Sequence, residues 1–271
     1  MNALQLFTSK KPSAINNEDL FGYVGDTFWL LDGATTSDGP ELERDAYWLV
    51  NELDKLFRRM APLGLPLDVM ASKACNELNA RWPGLSEKRP VAALALWRTS
   101  GEKLDAAIAG NVSLIVLQDA EATEMSDGRV FVDSAAATLP LFEALARGVS
   151  FESAEFALLR RQMKAKEAVS LDSKVPGWLV SPAPRAPENF ISYSLPLKRP
   201  TTVLAATDGF MELRRYWGSP APADFIKKLQ LISLQESMRR LRELETRAES
   251  GRLFPRTKRH DDATVVLASY E

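Results

Sequence analysis

Four acidic positions, far apart in this 271-residue chain, stand where apolar runs begin or end. Asp32 and Gly33 follow FWLL, Asp208 and Gly209 follow LAAT, Asp261 and Asp262 precede ATVVLAS, and Glu18 and Asp19 close the polar stretch NNED. Hard divalent ions such as Mg²⁺ and Mn²⁺ prefer oxygen ligands in octahedral shells, and carboxylates supply them. Two such ions held close together can share a carboxylate and activate a water between them. That chemistry requires acids that converge from distant points of the sequence, each on a rigid element. Strand ends provide the rigidity, and Gly33 and Gly209 let the backbone pass close to an ion. Taken singly, an Asp-Gly after a strand is a common turn signal. Spacing alone adds little to that structural reading.

The scarce residue types narrow the chemistry further. His260 is the sole histidine, so a two-histidine zinc site is excluded, and Cys75 is the sole cysteine, so no internal disulfide forms. Cys75 lies in DVMASKACNELNARW, whose apolar spacing predicts a helix, and reads as a small buried core residue rather than a nucleophile. A formal net charge of −2 with no long block of one sign argues against a nucleic-acid partner. No apolar run approaches the roughly 20 residues that cross a bilayer, which argues against a membrane span. The first residues, MNALQLFTSKKPSAINNED, do not read as a secretory signal, so a cytoplasmic protein is expected. The sequence specifies no oligomeric state.

The elements that must position these acids follow from periodicity. Residues 26–31, DTFWLL, read as a buried strand closed by a turn at Asp32-Gly33. Helices are predicted over about 41–60, where Leu42, Ala46, Leu49, Leu53 and Leu56 share a face, and over about 67–82. Strand-like runs at 91–97, 103–110 and 113–118 suggest an antiparallel meander. A helix over 151–169 precedes a Pro- and Ser-rich stretch, 170–200, expected to be an irregular surface flap with Trp178 packed beneath it. A strand at 201–207 ends at Asp208-Gly209, a long charged helix covers 222–250, and a strand at 263–269 closes the chain. Strands and helices come in runs, which favours α+β over a doubly wound sheet. Acids on both the first and last of these strands suggest one domain over 1–271.

In order, NNED at 16–19, WLLDG at 29–33, LAATDGF at 204–210 and DDATVVLA at 261–268 resemble the motifs of the metal-dependent protein serine/threonine phosphatases of type 2C. The likeness is to a divergent, bacterial-type member and covers 16–268; AAIAGNVSLIVL at 106–117 stands where the family has its central glycine-aspartate strand pair. The resemblance implies two packed antiparallel sheets flanked by helices on both outer faces, an αββα sandwich. It implies two Mn²⁺ or Mg²⁺ ions with a weak third, and hydrolysis of phosphoserine or phosphothreonine in a phosphoprotein substrate by an activated water. Carried over, Asp32, Asp208 and Asp261 are the catalytic carboxylates. Asp32 bridges both ions, the Gly33 carbonyl completes one shell, and Asp208 and Asp261 bind the other ion. Glu18 holds a metal-bound water, Asp19 is a ligand or its neighbour, and Asp127 in MSDG falls near the third-ion aspartate. Asp262 stands where the family commonly has asparagine, and reads as a solvated strand-start residue or a helper behind the ligands. His260 reads as a partly exposed strand-start residue rather than as an acid catalyst.

The departures from the pattern touch the substrate side. Ala14 stands where the family often has a phosphate-gripping arginine; Lys10 or Lys11 could substitute, without the two-pronged guanidinium geometry. Ala34-Thr35-Thr36-Ser37 replaces a glycine-rich tail, and Asn111 replaces the aspartate after Gly110. These changes leave open a second reading, a catalytically weak or inactive pseudophosphatase that binds a phosphoprotein or regulatory partner. A third reading has the 222–250 helix as a docking scaffold, although its alternating charges suit a solvated face.

Overall fold

The computed structural model describes residues 1, 3–12, 14–34, 45–82, 89–172, 179–182, 190–247 and 249–271. The chain opens with β1 (Ala3–Ser9), β2 (Asp19–Val24) and β3 (Thr27–Ala34), then α1 (Ala46–Met60) and α2 (Leu67–Arg81). There follow β4 (Val91–Ser100), β5 (Lys103–Ala109), β6 (Ser113–Gln118), β7 (Glu121–Met125), α3 (Arg129–Ala146) and α4 (Ala154–Asp172). The last part holds β8 (Ile191–Pro196), β9 (Thr201–Ala206), α5 (Asp208–Tyr216), α6 (Pro222–Gln230), α7 (Leu234–Thr246), α8 (Ser250–Leu253) and β10 (Ala263–Tyr270).

Two antiparallel sheets of five strands result, in the orders β2-β3-β4-β5-β8 and β1-β10-β9-β6-β7. Successive side chains on a strand point to opposite faces, so each central strand feeds two cores. In β3, Phe28 and Leu30 join Trp97, Ile108, Val203, Ala205 and Val266 between the sheets. Their neighbours Trp29 and Leu31 face outward and are covered by Leu49, Leu53 and Phe57 of α1 and Met70 of α2. In β10, Val265 and Leu267 face Phe210, Phe225 and Leu241 of α5, α6 and α7. Both outer faces are therefore covered by helices, and the fold is the αββα sandwich. Phe28 stacks on Trp97 with ring centroids 5.4 Å apart, and burying rings of that size contributes roughly 25 cal/mol for each Å² removed from water.

Several sequence expectations need correction. Asp32-Gly33 is not a turn: β3 continues through both residues and pairs them with Ala93 and Ala92. Asp208-Gly209 is not a turn either but the first turn of α5. The three-strand meander breaks after its first hairpin. β5 pairs with β4 and β8, whereas β6 pairs with β7 and β9 in the other sheet. The chain crosses between sheets at Gly110, whose φ of +85° suits a residue without a side chain. The helix over 222–250 is interrupted: α6 stops at Gln230, and the Ser233 hydroxyl caps α7 by accepting from the Glu236 N–H at 3.0 Å. Within 170–200, α4 runs to Asp172 and β8 forms an edge strand, so the stretch is not wholly irregular. Trp178 and residues 35–44 lie outside the described residues. Strands β1, β2 and β7 and helix α3 were not expected, so Asp19 does not precede the first strand but opens the second. Among the described residues no helix is long and apolar enough to cross a membrane.

Candidate metal centre

The acids meet at one end of the sandwich because of strand parity. Asp32 shares a face with Phe28 and Leu30, so the β3 row that fills the inter-sheet core ends in a carboxylate. Asp19 lies directly opposite Asp32 in the β2–β3 ladder and is 6 % exposed. Thr207 and Thr264 continue the inter-sheet faces of β9 and β10 in the same way. The Thr207 hydroxyl donates to Asp19 Oδ2 at 2.9 Å and accepts from the Thr264 N–H at 2.9 Å. The other oxygen of that carboxylate, Asp19 Oδ1, is buried with no hydrogen-bond partner among the described residues. An orphaned carboxylate oxygen in a protein interior is costly unless a proton or a cation completes it.

The electrostatics agree. Burial, followed by repulsion from Asp261 and Asp262, pushes Asp19 well above the ordinary carboxylate range. Burial also raises Asp32, with Asp208, Asp19 and Asp261 adding to the effect and Lys258 pulling the other way. Asp261 is pushed up to about 6, by burial first, opposed by Lys258 and reinforced by Asp208. Four carboxylates from β2, β3, the start of α5 and the residue pair before β10 thus sense one another's charge.

Two glycines make the convergence possible. A Cβ on Gly33 would lie 2.8 Å from the Glu18 carbonyl oxygen and 3.1 Å from Ala46 and Val50 side-chain atoms. Bare of a side chain, Gly33 donates its N–H to that same Glu18 oxygen at 3.0 Å, which ties the NNED segment to β3. A Cβ on Gly209 would lie 2.0 Å from the Asp262 carbonyl oxygen, so α5 packs directly on the Asp261-Asp262 backbone.

The other residues singled out in the sequence have defined places. Asp262 is 3 % exposed, not solvated. Its carboxylate accepts from the Lys11 N–H at 2.7 Å, Lys11 Nζ at 3.1 Å and the Glu18 N–H at 3.1 Å, and so fixes the strap between β1 and β2. Lys11 Nζ also reaches Glu18 Oε2 at 2.7 Å. Burial works against the Lys11 charge, but Glu18 and Asp262 outweigh it and raise the ammonium above its usual range. Lys10 Nζ donates to the Ile15 carbonyl at 3.2 Å. Asp127 is wholly buried and ion-paired with Arg129 at 2.6 Å, and its Oδ2 accepts from the Gly110 N–H at 3.3 Å. It thereby holds the crossing between the sheets. The next residue after Gly110, Asn111, donates from Nδ2 to Asp208 Oδ2 at 2.5 Å. His260 Nδ1 lies 2.8 Å from Glu245 Oε2, on the α7 side. Cys75 is buried in the outer core, and burial pushes its thiol up to about 12.

Sequence reasoning missed Lys258, whose Nζ lies 2.5 Å from Asp261 Oδ2. Its spacing of three residues before Asp261 in KRHDD was the available signal. Among the described residues no three His, Cys, Asp or Glu side chains gather tightly enough to hold an ion by themselves. Even so, the all-oxygen donor set, the orphaned Asp19 oxygen and the mutual repulsion of the acids fit hard divalent cations.

No protein-family model matches the chain, and no curated protein matches its sequence. Solved structures match its fold over nearly its whole length. The Mycobacterium tuberculosis serine/threonine phosphatase PstP/Ppp is 19 % identical with a TM-score of 0.57, over 99 % of this chain and 98 % of that one. The catalytic domain of the serine/threonine protein phosphatase PstP in complex with two manganese ions is 17 % identical with a TM-score of 0.55, over 98 % and 97 %. RsbX in complex with magnesium is 11 % identical with a TM-score of 0.53, over 99 % and 94 %. The fold is that of the type 2C serine/threonine phosphatases.

Proposed function

We propose that the chain is a divalent-metal-dependent phosphatase that hydrolyses phosphoserine or phosphothreonine in a protein, as a divergent type 2C enzyme. The observation that carries this reading is the meeting of Asp19, Asp32, Asp208 and Asp261 at one end of the sandwich, where burial and mutual repulsion raise Asp19, Asp32 and Asp261. Asp32, Asp208 and Asp261 would hold Mn²⁺ or Mg²⁺, with Asp19 and the Gly33 carbonyl completing the set and Glu18 at its edge. Bound there, the ions would supply an acidified water and neutralise charge on the phosphoryl group. Asp127 is assigned to the corner at Gly110, and a weak third ion there would have to displace Arg129.

The chain's own residues set the stage for that chemistry. Asn111 orients Asp208 through its amide. The Thr207 hydroxyl orients Asp19, and Asp262 and Lys11 hold Glu18 in place. Catalysis then rests on positioning and charge neutralisation, with no cysteine or phosphoenzyme. His260, turned toward Glu245, is given no part in proton transfer. A phosphorylated side chain on a protein is the substrate class that the fold's relatives suggest.

One observation favours a second reading, a pseudophosphatase that binds a partner without turnover. No arginine stands at position 14, and Lys11, the nearest substitute, already serves Glu18 and Asp262. The test is hydrolysis of p-nitrophenyl phosphate with Mn²⁺ and with EDTA, for the natural chain and Asp208→Asn. Turnover that needs Mn²⁺ and falls by about 100-fold or more in the variant is the expected result. Turnover that is absent, or indifferent to chelator and substitution, rejects the enzyme and leaves the binding module.

A further inference from the structure

The acid cluster receives a cation from the chain itself. Lys258 Nζ lies 2.5 Å from Asp261 Oδ2, and the lysine side chain is about a third exposed, at 35 %. The loop that carries it is pinned on both sides. Arg256, 6 % exposed, donates from its guanidinium to the Arg259 carbonyl at 3.0 Å, to Glu245 O at 3.3 Å and to Phe254 O at 3.2 Å. The Arg256 guanidinium carbon also sits 4.8 Å from the Phe151 ring centroid and 5.8 Å from that of Tyr216. Beyond Lys258, the His260 ring is fixed on Glu245. A long, flexible ammonium is thus delivered from a fixed backbone to one carboxylate.

Its charge serves more than one acid. Asp261, Asp208 and Asp32 all attract the Lys258 ammonium, Asp261 the most strongly. Those are three of the residues assigned to the divalent ions. An ammonium is a monovalent point charge with three donors, so it offsets one carboxylate charge where a divalent ion offsets two. A divalent ion that takes Asp261 Oδ2 must first break the Lys258 pair.

We propose that Lys258 is a built-in competitor for the metal: it occupies Asp261 when ions are absent, must be displaced for loading, and so weakens divalent-cation affinity. The inference rests on the metal-site reading above and goes beyond it, because it assigns control of loading to a residue outside the ligand set. The pair offsets one negative charge of the cluster without metal, and ion concentration then decides whether the site is loaded.

The experiment is Mn²⁺ binding by the full chain, read from the loss of the free-ion electron paramagnetic resonance signal, with no substrate present. Lys258→Met and Lys258→Gln remove the charge, the second keeping a hydrogen bond to Asp261, and Lys258→Arg keeps the charge. Met and Gln variants are expected to bind Mn²⁺ about tenfold tighter or more, and the Arg variant to stay as weak as the natural chain. If one neutral variant does not fold by circular dichroism, the other gives the comparison. In the unaltered chain, adding Mn²⁺ should also speed labelling of Lys258 by an amine-reactive reagent, read by mass spectrometry. Natural and neutral chains that bind Mn²⁺ within twofold of each other overturn the competitor while the metal site stands. An unchanged labelling rate at Mn²⁺ concentrations that fill the site overturns it as well. No Mn²⁺ bound by any variant at millimolar concentration overturns both the competitor and the metal site.

Discussion

Asp32 lies in strand β3 directly opposite Asp19, whereas Asp208 opens helix α5 and accepts a hydrogen bond from Asn111. The same dipeptide, Asp-Gly, therefore stands in two very different settings at one end of the sandwich. Like charges facing each other across a strand pair repel. A carboxylate in the first turn of a helix is favoured by the exposed N–H groups there. The glycines share a task, letting another segment's carbonyl approach, but Gly209 is far the tighter of the two. The comparison separates what each corner needs: the Asp208 corner is satisfied by the protein, and the Asp32 corner calls for a proton or a cation.

The sharpest way to break that comparison is at the glycines. Gly209→Ala would drive a Cβ to 2.0 Å from the Asp262 backbone oxygen, so α5 or the start of β10 must move. Gly33→Ala meets Glu18 O at 2.8 Å and side-chain atoms of Ala46 and Val50 at 3.1 Å, so a smaller shift relieves it. The first substitution should cost about 3 kcal/mol and the second about 1 kcal/mol in urea unfolding. Equal costs would mean that the two backbone approaches are not different in kind.

A smaller effect, opposite in sign, is expected from charge removal. In EDTA near pH 7.5, Asp32→Asn should stabilise the protein by about 1 kcal/mol, roughly 2 °C in Tm, because it deletes a charge repelled by Asp208, Asp19 and Asp261. Folding raises the pKa of Asp32 and Asp261, so their contribution is fully present below the ordinary carboxylate range and is lost as pH rises through the folded value. For Asp261 that value is about 6. The metal-free natural chain should therefore lose stability between about pH 4 and pH 6, and the advantage of Asp32→Asn should vanish at the acid end. Asp208→Asn should gain less, since it gives up the charge-assisted bond from Asn111. Thermal unfolding at both ends of the range decides it; identical gains for the two variants would erase the distinction.

How much of this is legible in the sequence depends on the kind of signal. Apolar runs such as FWLL, VAALALW and TTVLAA are buried on nearly every residue, and their composition alone marks β3, β4 and β9 as strands. The edge strand β1 was not legible because ALQLFTS is paired on one side only and leaves Leu6 46 % exposed. Helix α3 hid behind Pro140 in its interior, which a local rule reads as a break. The acids Asp32, Asp208 and Asp261 stood out by their ordered motifs. The turn reading of both Asp-Gly pairs failed because close packing also selects glycine, and no local pattern distinguishes that demand from a turn. Thr207 was invisible for a different reason, because its partner Asp19 is brought to it only by the tertiary fold, and Lys258 showed only its local spacing to Asp261, not the Asp32 and Asp208 charges that the fold adds.

Asn111 offers the finest probe of the difference between the two corners. Its amide donates to Asp208 Oδ2 at 2.5 Å from the loop where the chain crosses between sheets. A hydrogen bond to a charged group can be worth about 1.5–3 kcal/mol, but water can reach this half-buried pair and replace part of it. Asn111→Ala should therefore cost only about 1 kcal/mol in EDTA. A double-mutant cycle isolates the pair, because neighbours in contact fail additivity and residues without a shared partner obey it. Asn111→Ala combined with Asp208→Asn should show a coupling of about 1 kcal/mol, while Asn111→Ala combined with Asp32→Asn, linked only through the charge of Asp208, should couple by no more than roughly 0.5 kcal/mol. Equal coupling to both aspartates would make Asn111 a support for the whole cluster, and the Asp208 corner would no longer be the self-sufficient one.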